Sequence, residues 1–348
     1  MPVLQGDEIV DLVSLTLDEL GENKWEDIVS SLEHYTAMPE LMTKNKVTFQ
    51  GGTEIQWQLM VDHSNQASYG GLYAVDDVNV SDQIVQPKVP WRHVKTAWAW
   101  DARELAMNRD EHQIVDLMKV RRADGMIALA EVLETKFWNT PTDATDDTNP
   151  MGAPYWIVWN STDGFTGGAQ FGSTVGNVNP TTYTRWKNYS ATYTTVSKTN
   201  LFRLWRKAAR QTNFKSLKQA NVPSYNTGNK YAYYTDETTI GLIEELCEDQ
   251  NDNLGNDLAS KDGDTTFHRT PIVYVPKLNT AAASGSNPIF GINWGVFKPV
   301  FLEGWFMKEQ VVKAPYQHTV VNVFVDTTHN FICRNRRLNF VIAKSDPF

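Results

Sequence analysis

The feature that most constrains the fold is a strand-like run that begins at Thr53 and then dissolves into small polar residues. From Thr53 to Val61 the hydrophobic period is two, so alternate side chains share a face. The apolar side chains of one face are Ile55, Trp57, Leu59 and Val61. The next residues, DHSNQASYGG, have the composition of a turn or loop. A hairpin alone buries too little apolar surface to be stable in water, so such an arm must lie on something.

The arm returns through Ile84 to a second strand-like stretch, KVPWRHVKTAWAWD, at residues 88–101. The side chains that share one face there are Val94, Thr96, Trp98 and Trp100. A long helix is predicted next, over 110–139, because apolar residues recur three and four positions apart. About 30 residues at about 1.5 Å each would span roughly 45 Å, so we interpret this helix as a strut that braces a domain.

The other segments complete an α+β pattern, in which helices and strands are segregated along the chain. Residues 7–35 are acidic and apolar at helical spacing, and 140–200 are rich in Gly, Thr, Asn and Asp, with a strand-like piece at Trp156–Trp159. Helices are predicted in NLFRLWRKAARQTN and TTIGLIEELCEDQ, and strands in PIVYVP, TVVNVFVD and NFICRNRRLNFVIAK.

Composition limits the classes of function. The chain has 348 residues, 41% of them hydrophobic, and 32 Lys plus Arg against 41 Asp plus Glu give a formal net charge of −9. An acidic chain is unsuited to broad, salt-driven nucleic-acid binding, which needs a basic surface. We expect no membrane span and no signal peptide, because the apolar stretches are interrupted by charges and prolines.

Catalytic and metal-binding spacings do not occur in the sequence. The seven histidines are scattered, and no phosphate-binding loop, zinc motif or nucleophile motif is found, so we predict no enzyme activity, cofactor or metal. One predicted helix places Arg203, Arg206 and Arg210 along a face. This face either contacts phosphate or an acidic neighbour, or is simply solvated. The alternating Arg334, Arg336 and Arg337 in the last strand-like run have the same two interpretations.

The order of these elements resembles the major capsid protein of tailed bacteriophages, which has the HK97-like fold. The stretches most similar to that family are LETKFWN…NPMGAPYWIV, WKNYSATY, YYTDETTIGLIEEL and NFICRNRRLNFVIAK. The resemblance implies an N-terminal arm, an extended two-stranded loop, a peripheral domain with a long spine helix, and an axial domain. The implied ranges are 1–45 for the arm, 46–95 for the extended loop, 96–199 for the peripheral domain with spine helix 110–139 and inserted loop region 152–190, 200–310 for the axial domain, and 311–348 for closing strands of the peripheral domain.

The resemblance also implies a function. The chain would be a structural protein that self-assembles as hexamers and pentamers of an icosahedral shell around the phage genome, assembled in the host cytoplasm and found in the virion. Its extended loop would lie on a neighbouring subunit, through Ile55, Trp57, Leu59, Val61, Tyr69 and Tyr73. Arg203, Arg206 and Arg210 would face DNA or another subunit.

The implied partners are the chain itself, packaged double-stranded DNA through weak contacts, a separate scaffolding protein, a portal and, as a further candidate, a decoration protein; no membrane is involved. A separate scaffolding protein is expected because no long removable region precedes the extended loop. Cross-linking of that loop through a lysine, as in some relatives, is not expected, because its tip has none.

Three alternatives stay open at this point. An encapsulin-type nanocompartment shell shares the fold but encloses a cargo enzyme. A carbohydrate-binding or carbohydrate-active protein would use the aromatic clusters PYWIVW and AWAW to stack sugars. A different virion component, such as a tail or decoration protein, is the third.

Overall fold

The computed structural model describes residues 35–42, 47–61, 69, 72, 84–107, 117–214, 231–248, 266–268, 270–313 and 317–348. The predicted helical segment 7–35 (apart from its last residue), most of the loop tip, and the predicted start of the spine helix at 110 lie outside these residues.

The structure contains both α-helices and β-strands, which confirms the predicted α+β class. The helices are α1 Met38–Leu41, α2 Ala102–Met107, α3 Leu117–Phe137, α4 Ala153–Trp156, α5 Leu201–Gln211, α6 Glu237–Glu248 and α7 Asn279–Ala283, with 3-10 turns at Thr184–Trp186, Pro276–Leu278 and Arg336–Leu338. The strands are β1 Thr48–Gln50, β2 Glu54–Gln56, β3 Leu59–Met60, β4 Ile84–Val85, β5 Lys88–Pro90, β6 Arg92–Asp101, β7 Gly164–Gly167, β8 Asn188–Thr192, β9 Tyr231–Thr235, β10 Thr266–Phe267, β11 Thr270–Tyr274, β12 Ile289–Asn293, β13 Phe297–Leu302, β14 Lys308–Lys313, β15 Val320–Cys333 and β16 Phe340–Ala343.

The strands form a five-stranded sheet, a seven-stranded sheet and two short hairpin pairs. The five-stranded sheet has the order β1-β13-β15-β14, and β6 also pairs with β15. The seven-stranded sheet has the order β10-β11-β9-β12-β16-β8-β7. Its strands come from the segment predicted as the axial domain and from two segments predicted as parts of the peripheral domain, the inserted loop region and the closing strands.

One compact unit contains residues 93–133 and 304–328. Within it, β6 alternates between exposed and half-buried residues, and Val94, Thr96 and Trp98 are on the more buried face, as predicted. The Thr96 hydroxyl donates to the carbonyl of Gly125 at 3.1 Å. A Cβ on Gly125 would lie 2.7 Å from the Trp98 ring. The glycine in the middle of α3 is therefore required by the close approach of this ring.

The other unit contains residues 36–92, 134–303 and 329–348. Its seven-stranded sheet is covered by α5, which packs against β8 and β16. The interface is aromatic: the ring centroids of Trp205 and Phe267 are 4.3 Å apart, and those of Phe214 and Tyr233 are 4.8 Å apart. Large buried aromatics of this kind supply much of the apolar burial that stabilises a core.

Two local predictions were wrong. Trp156–Trp159 does not form the predicted strand, because helix α4 occupies Ala153–Trp156. Pro154 is favourable in the first turn of this helix. The indole N–H of Trp156 donates to the carbonyl of Phe331 at 3.1 Å. Arg334, Arg336 and Arg337 do not alternate along a strand either. Strand β15 ends at Cys333, and the side chain of Asn335 accepts the Arg337 N–H at the start of a 3-10 turn.

The turn places Arg336 inside the protein. Its guanidinium is fully buried and donates to the carbonyls of Trp156, Trp186 and Gly168 at 2.6, 3.0 and 2.7 Å, and to Asn188 Oδ1 at 3.1 Å. Burial lowers the pKa of Arg336 to about 10, so the group is still charged at neutral pH. The charge is therefore balanced by backbone dipoles, and one side chain binds the segment 156–188 to the C-terminal turn.

Replacing Arg336 with Met should lower the free energy of unfolding by about 3–5 kcal/mol, because several buried acceptors lose their donor. Urea denaturation of the purified protein measures this loss. The matched control is Arg334→Met, an exposed neighbour that should change stability by less than about 0.5 kcal/mol. Equal effects of the two substitutions would refute the structural role of Arg336.

Candidate assembly surfaces

The base of the predicted extended loop is two-stranded. Strand β2 pairs with β5 in antiparallel register, with Ile55 opposite Val89, and β3 pairs with β4, with Met60 opposite Ile84. The indole N–H of Trp91 donates to the carbonyl of Gly52 at 2.9 Å and closes the base of the hairpin. The strand period read from the sequence is therefore present in the structure.

One face of this base lies on its own chain. Ile55, Val61 and Val89 are buried, and the Lys88 N–H donates to the carbonyl of Gly176 at 3.0 Å. The ring centroid of Trp57 is 6.1 Å from that of Trp156. The inserted segment therefore provides the support that a lone hairpin lacks.

This arrangement corrects the predicted inter-subunit contacts at two positions. Ile55 and Val61 were expected to lie on a neighbouring copy, but they are covered by their own chain and have no apolar surface to offer. The alternation was correct, but at Ile55 and Val61 the apolar face is covered by the chain itself. Trp57 and Leu59 are half-buried, Tyr69 is fully exposed, and Tyr73 lies outside the described residues.

The opposite face carries an apolar patch that the sequence prediction missed. Met60 is 56% exposed and Ile84, its register partner, is 66% exposed. Farther along the loop, Leu72 is 93% exposed. Met60 was the signal: it is the apolar residue on the face otherwise formed by Glu54, Gln56 and Gln58. We call Met60 and Ile84 the hairpin patch.

A second site holds residues 36–38, close to the first residue that the structure describes. The carboxylate of Glu134, which is buried, accepts the backbone N–H groups of Thr36 and Ala37 through Oε1, at 3.0 and 2.9 Å, and of Met38 through Oε2, at 2.9 Å. The indole of Trp138 also donates to Oε1, at 2.8 Å. These donors include the first free N–H groups of α1, where a negative charge is favourable.

Replacing Glu134 with Gln should lower the free energy of unfolding by about 2–3 kcal/mol, since an amide NH₂ would then face N–H donors. We also expect faster proteolytic cleavage within residues 35–42. Denaturation and limited proteolysis measure the two effects. The control, Glu303→Gln, changes an exposed carboxylate and should leave both unchanged; if Glu134→Gln behaves like it, the carboxylate does not hold this segment.

The third surface is the cationic face of α5. Leu201, Trp205 and Ala208 are buried, while Arg203, Arg206 and Arg210 are exposed on the other side, as the helical spacing predicted. Lys207 is exposed beside them. Burial, followed by the charges of Arg206 and Arg210, lowers the pKa of His268. We call Arg203, Arg206, Lys207 and Arg210 the α5 basic face.

The described ranges contain neither a membrane-spanning helix nor a metal-binding cluster. No α-helix in them is long and apolar enough to cross a membrane. Within the same ranges, no three His, Cys, Asp or Glu side chains are grouped in a way that could hold a metal ion.

Comparison with known proteins identifies the fold. No family model and no curated protein matches the sequence. Solved structures do match. The capsid asymmetric unit of cyanophage A-1(L) has a TM-score of 0.60 at 14% identity, over 94% of this chain and 98% of that one.

Two other structures match over a similar length. The capsid of a native GTA particle has a TM-score of 0.54 at 10% identity, over 98% and 99% of the two chains. The SrpI encapsulin complex of Synechococcus elongatus PCC 7942 has a TM-score of 0.53 at 9% identity, over 97% and 95%. The chain therefore has the HK97-like fold that phage capsid and encapsulin proteins share, as its resemblance to the capsid family predicted.

Proposed function

We propose that this chain is a major capsid protein that assembles into an icosahedral shell around a phage genome. The observation that carries the proposal is the match over nearly the whole chain to the capsid proteins of a cyanophage and of a GTA particle. These proteins work as assemblies of repeated copies, and each match covers at least 94% of both chains.

The hairpin patch gives the proposal a physical basis. Met60 and Ile84 are apolar and largely exposed on a two-stranded element whose other face is already occupied. Burying such side chains against a neighbour contributes about 1.5–3 kcal/mol each, and because a shell subunit meets several neighbours, many modest contacts add up. Charge repulsion between acidic subunits is screened beyond about 8 Å at physiological salt, so short apolar contacts can outweigh it.

The finer assignments belong to the same proposal. Helix α3 is the spine of a peripheral domain, residues 200–310 form the axial domain of hexamers and pentamers, and 1–45 form an arm that reaches neighbours. A separate scaffolding protein, a portal and a decoration protein are the other partners, and the packaged DNA is held by weak contacts. Assembly takes place in the host cytoplasm, the role is structural, and the chain catalyses no reaction.

The encapsulin-type shell is the second candidate, and the similarity to SrpI favours it. The carbohydrate alternative has less support, because Tyr155 and Trp156 of the PYWIVW cluster are buried and present no face for a sugar. The contents of native particles separate the two shell functions, since a capsid encloses DNA and an encapsulin encloses a cargo protein.

The direct test is the assembly state of the purified chain, alone and with the scaffolding protein of its own phage. Negative-stain microscopy and sedimentation should show closed shells or isolated hexamers and pentamers. A chain that stays monomeric in both settings at high concentration would refute the proposal.

Replacing Met60 or Ile84 with Glu should raise the concentration needed for assembly by about tenfold, because each contact loses roughly 1.5 kcal/mol or more of apolar burial. The stability of the monomer should be unchanged, since both side chains are exposed. Gln58→Glu is the control, because it adds the same charge to an exposed position of the same face. Sedimentation across a concentration series measures the effect, and equal shifts in all three variants would show that charge, not apolar burial, is responsible.

A further inference from the structure

The negative charge of the chain is concentrated at its N-terminus. Residues 1–34 contain nine carboxylates and a single cationic side chain, Lys24, for a formal charge of −8. The carboxylates are Asp7, Glu8, Asp11, Asp18, Glu19, Glu22, Glu26, Asp27 and Glu33. Of 41 acidic and 32 basic residues in the whole chain, 32 and 31 remain in residues 35–348, so the rest of the protein is almost neutral.

The α5 basic face is the opposite feature. It presents four cations within eight residues, a length of about 10 Å along the helix. Within the described part of the chain none of the four forms an ion pair, although other surface arginines such as Arg103 and Arg122 do. Trp205 holds the other side of α5 in the core, so this face is fixed in place.

The spacing of charges on the two elements is compatible. Asp7, Asp11 and Asp18 are separated by four and seven residues, so they share a face if the predicted helix forms. The cations of the α5 basic face recur at three and four residues. Two helices with such faces can lie side by side with several opposite charges in reach of each other.

The N-terminal segment is long enough to leave its own subunit. Its exit is held by Glu134 at Thr36–Met38, and a segment of 34 residues reaches about 50 Å as a helix and up to about 110 Å when fully extended. Copies that each carry −9 repel one another unless the charge of the segment is neutralised locally. A basic face on the next copy would provide that neutralisation only upon assembly.

We propose that residues 1–34 of one copy dock on the α5 basic face of a second copy. The inference rests on the proposed self-assembly and adds the partner of these arginines. It also assigns these arginines to a protein segment instead of to DNA. Each copy of the chain supplies one acidic segment for each α5 basic face. The remainder of the chain is nearly neutral and lacks the broad basic surface that DNA binding requires.

Lys207 allows a direct test in the full-length chain. Heavy-nitrogen-labelled and unlabelled chains are mixed before assembly, and the particles are treated with a carbodiimide, which joins an ammonium group directly to a carboxylate. Mass spectrometry should find Lys207 joined to an acidic residue between Asp7 and Glu33, with mixed-isotope pairs as frequent as same-isotope pairs. Same-isotope pairs alone would show docking within one copy and overturn the proposal.

Charge reversal provides the second measurement. Arg206→Glu should reduce the yield of these cross-links about fivefold or more, and the added substitutions Asp11→Lys and Asp18→Lys should restore it. Arg334→Glu changes the net charge equally at an exposed position outside α5 and should leave the yield unaltered.

The two proposals fail differently. Particles that form normally but give no cross-link between Lys207 and the segment would overturn this inference and leave the shell function intact. Protection of Lys207 from modification only in DNA-filled particles would overturn it as well, because nucleic acid would then be the occupant of the α5 basic face.

Discussion

A hairpin of two strands has two faces and can bury only one against a single support, and this limit governs how residues 53–92 are used. The chain supplies one support itself: Ile55, Val61 and Val89 are buried, and Lys88 bonds to Gly176. The hairpin is therefore held at its base without a partner. Its outer face, with Met60 opposite Ile84, stays largely exposed. The proposed assembly would therefore use the face that folding leaves uncovered.

In the unit that contains residues 36–92, 134–303 and 329–348, two buried charged side chains connect segments that are far apart in sequence. Glu134 accepts hydrogen bonds from the backbone N–H groups of residues 36–38. Arg336 donates hydrogen bonds to the backbone carbonyls of residues 156, 168 and 186. Each charge is neutralised by peptide dipoles of segments far away in sequence, which costs less than an unpaired buried charge and requires a specific backbone path. Two buried side chains therefore fix the positions of backbone segments that are distant from them in sequence.

Sequence reasoning succeeded where local pattern determines structure. The alternation of Val94, Thr96 and Trp98 and the amphipathic α5 follow from periodicity alone. It failed where tertiary contacts decide. The alternating run that contains Ile55 predicts a buried face, but it does not predict which surface covers that face. Nothing in the sequence around Arg336 distinguishes it from an exposed arginine. The need for Gly125 also became clear only with the Trp98 ring beside it.

A net charge of −9 describes the chain poorly, because interactions between charges are local. At physiological salt a charge acts over about 8 Å, and the formal charge is divided unevenly, with −8 in residues 1–34 and −1 in the remainder. A subunit built this way carries both an acidic segment and a fixed cationic face, and the proposed attraction between them would be short-ranged. Added salt should therefore weaken contacts that use the segment much more than contacts that use the hairpin patch, because apolar burial is not screened. In the proposed assembly, the charged contact of the segment would select the neighbour, and the apolar contact of the hairpin patch would hold it.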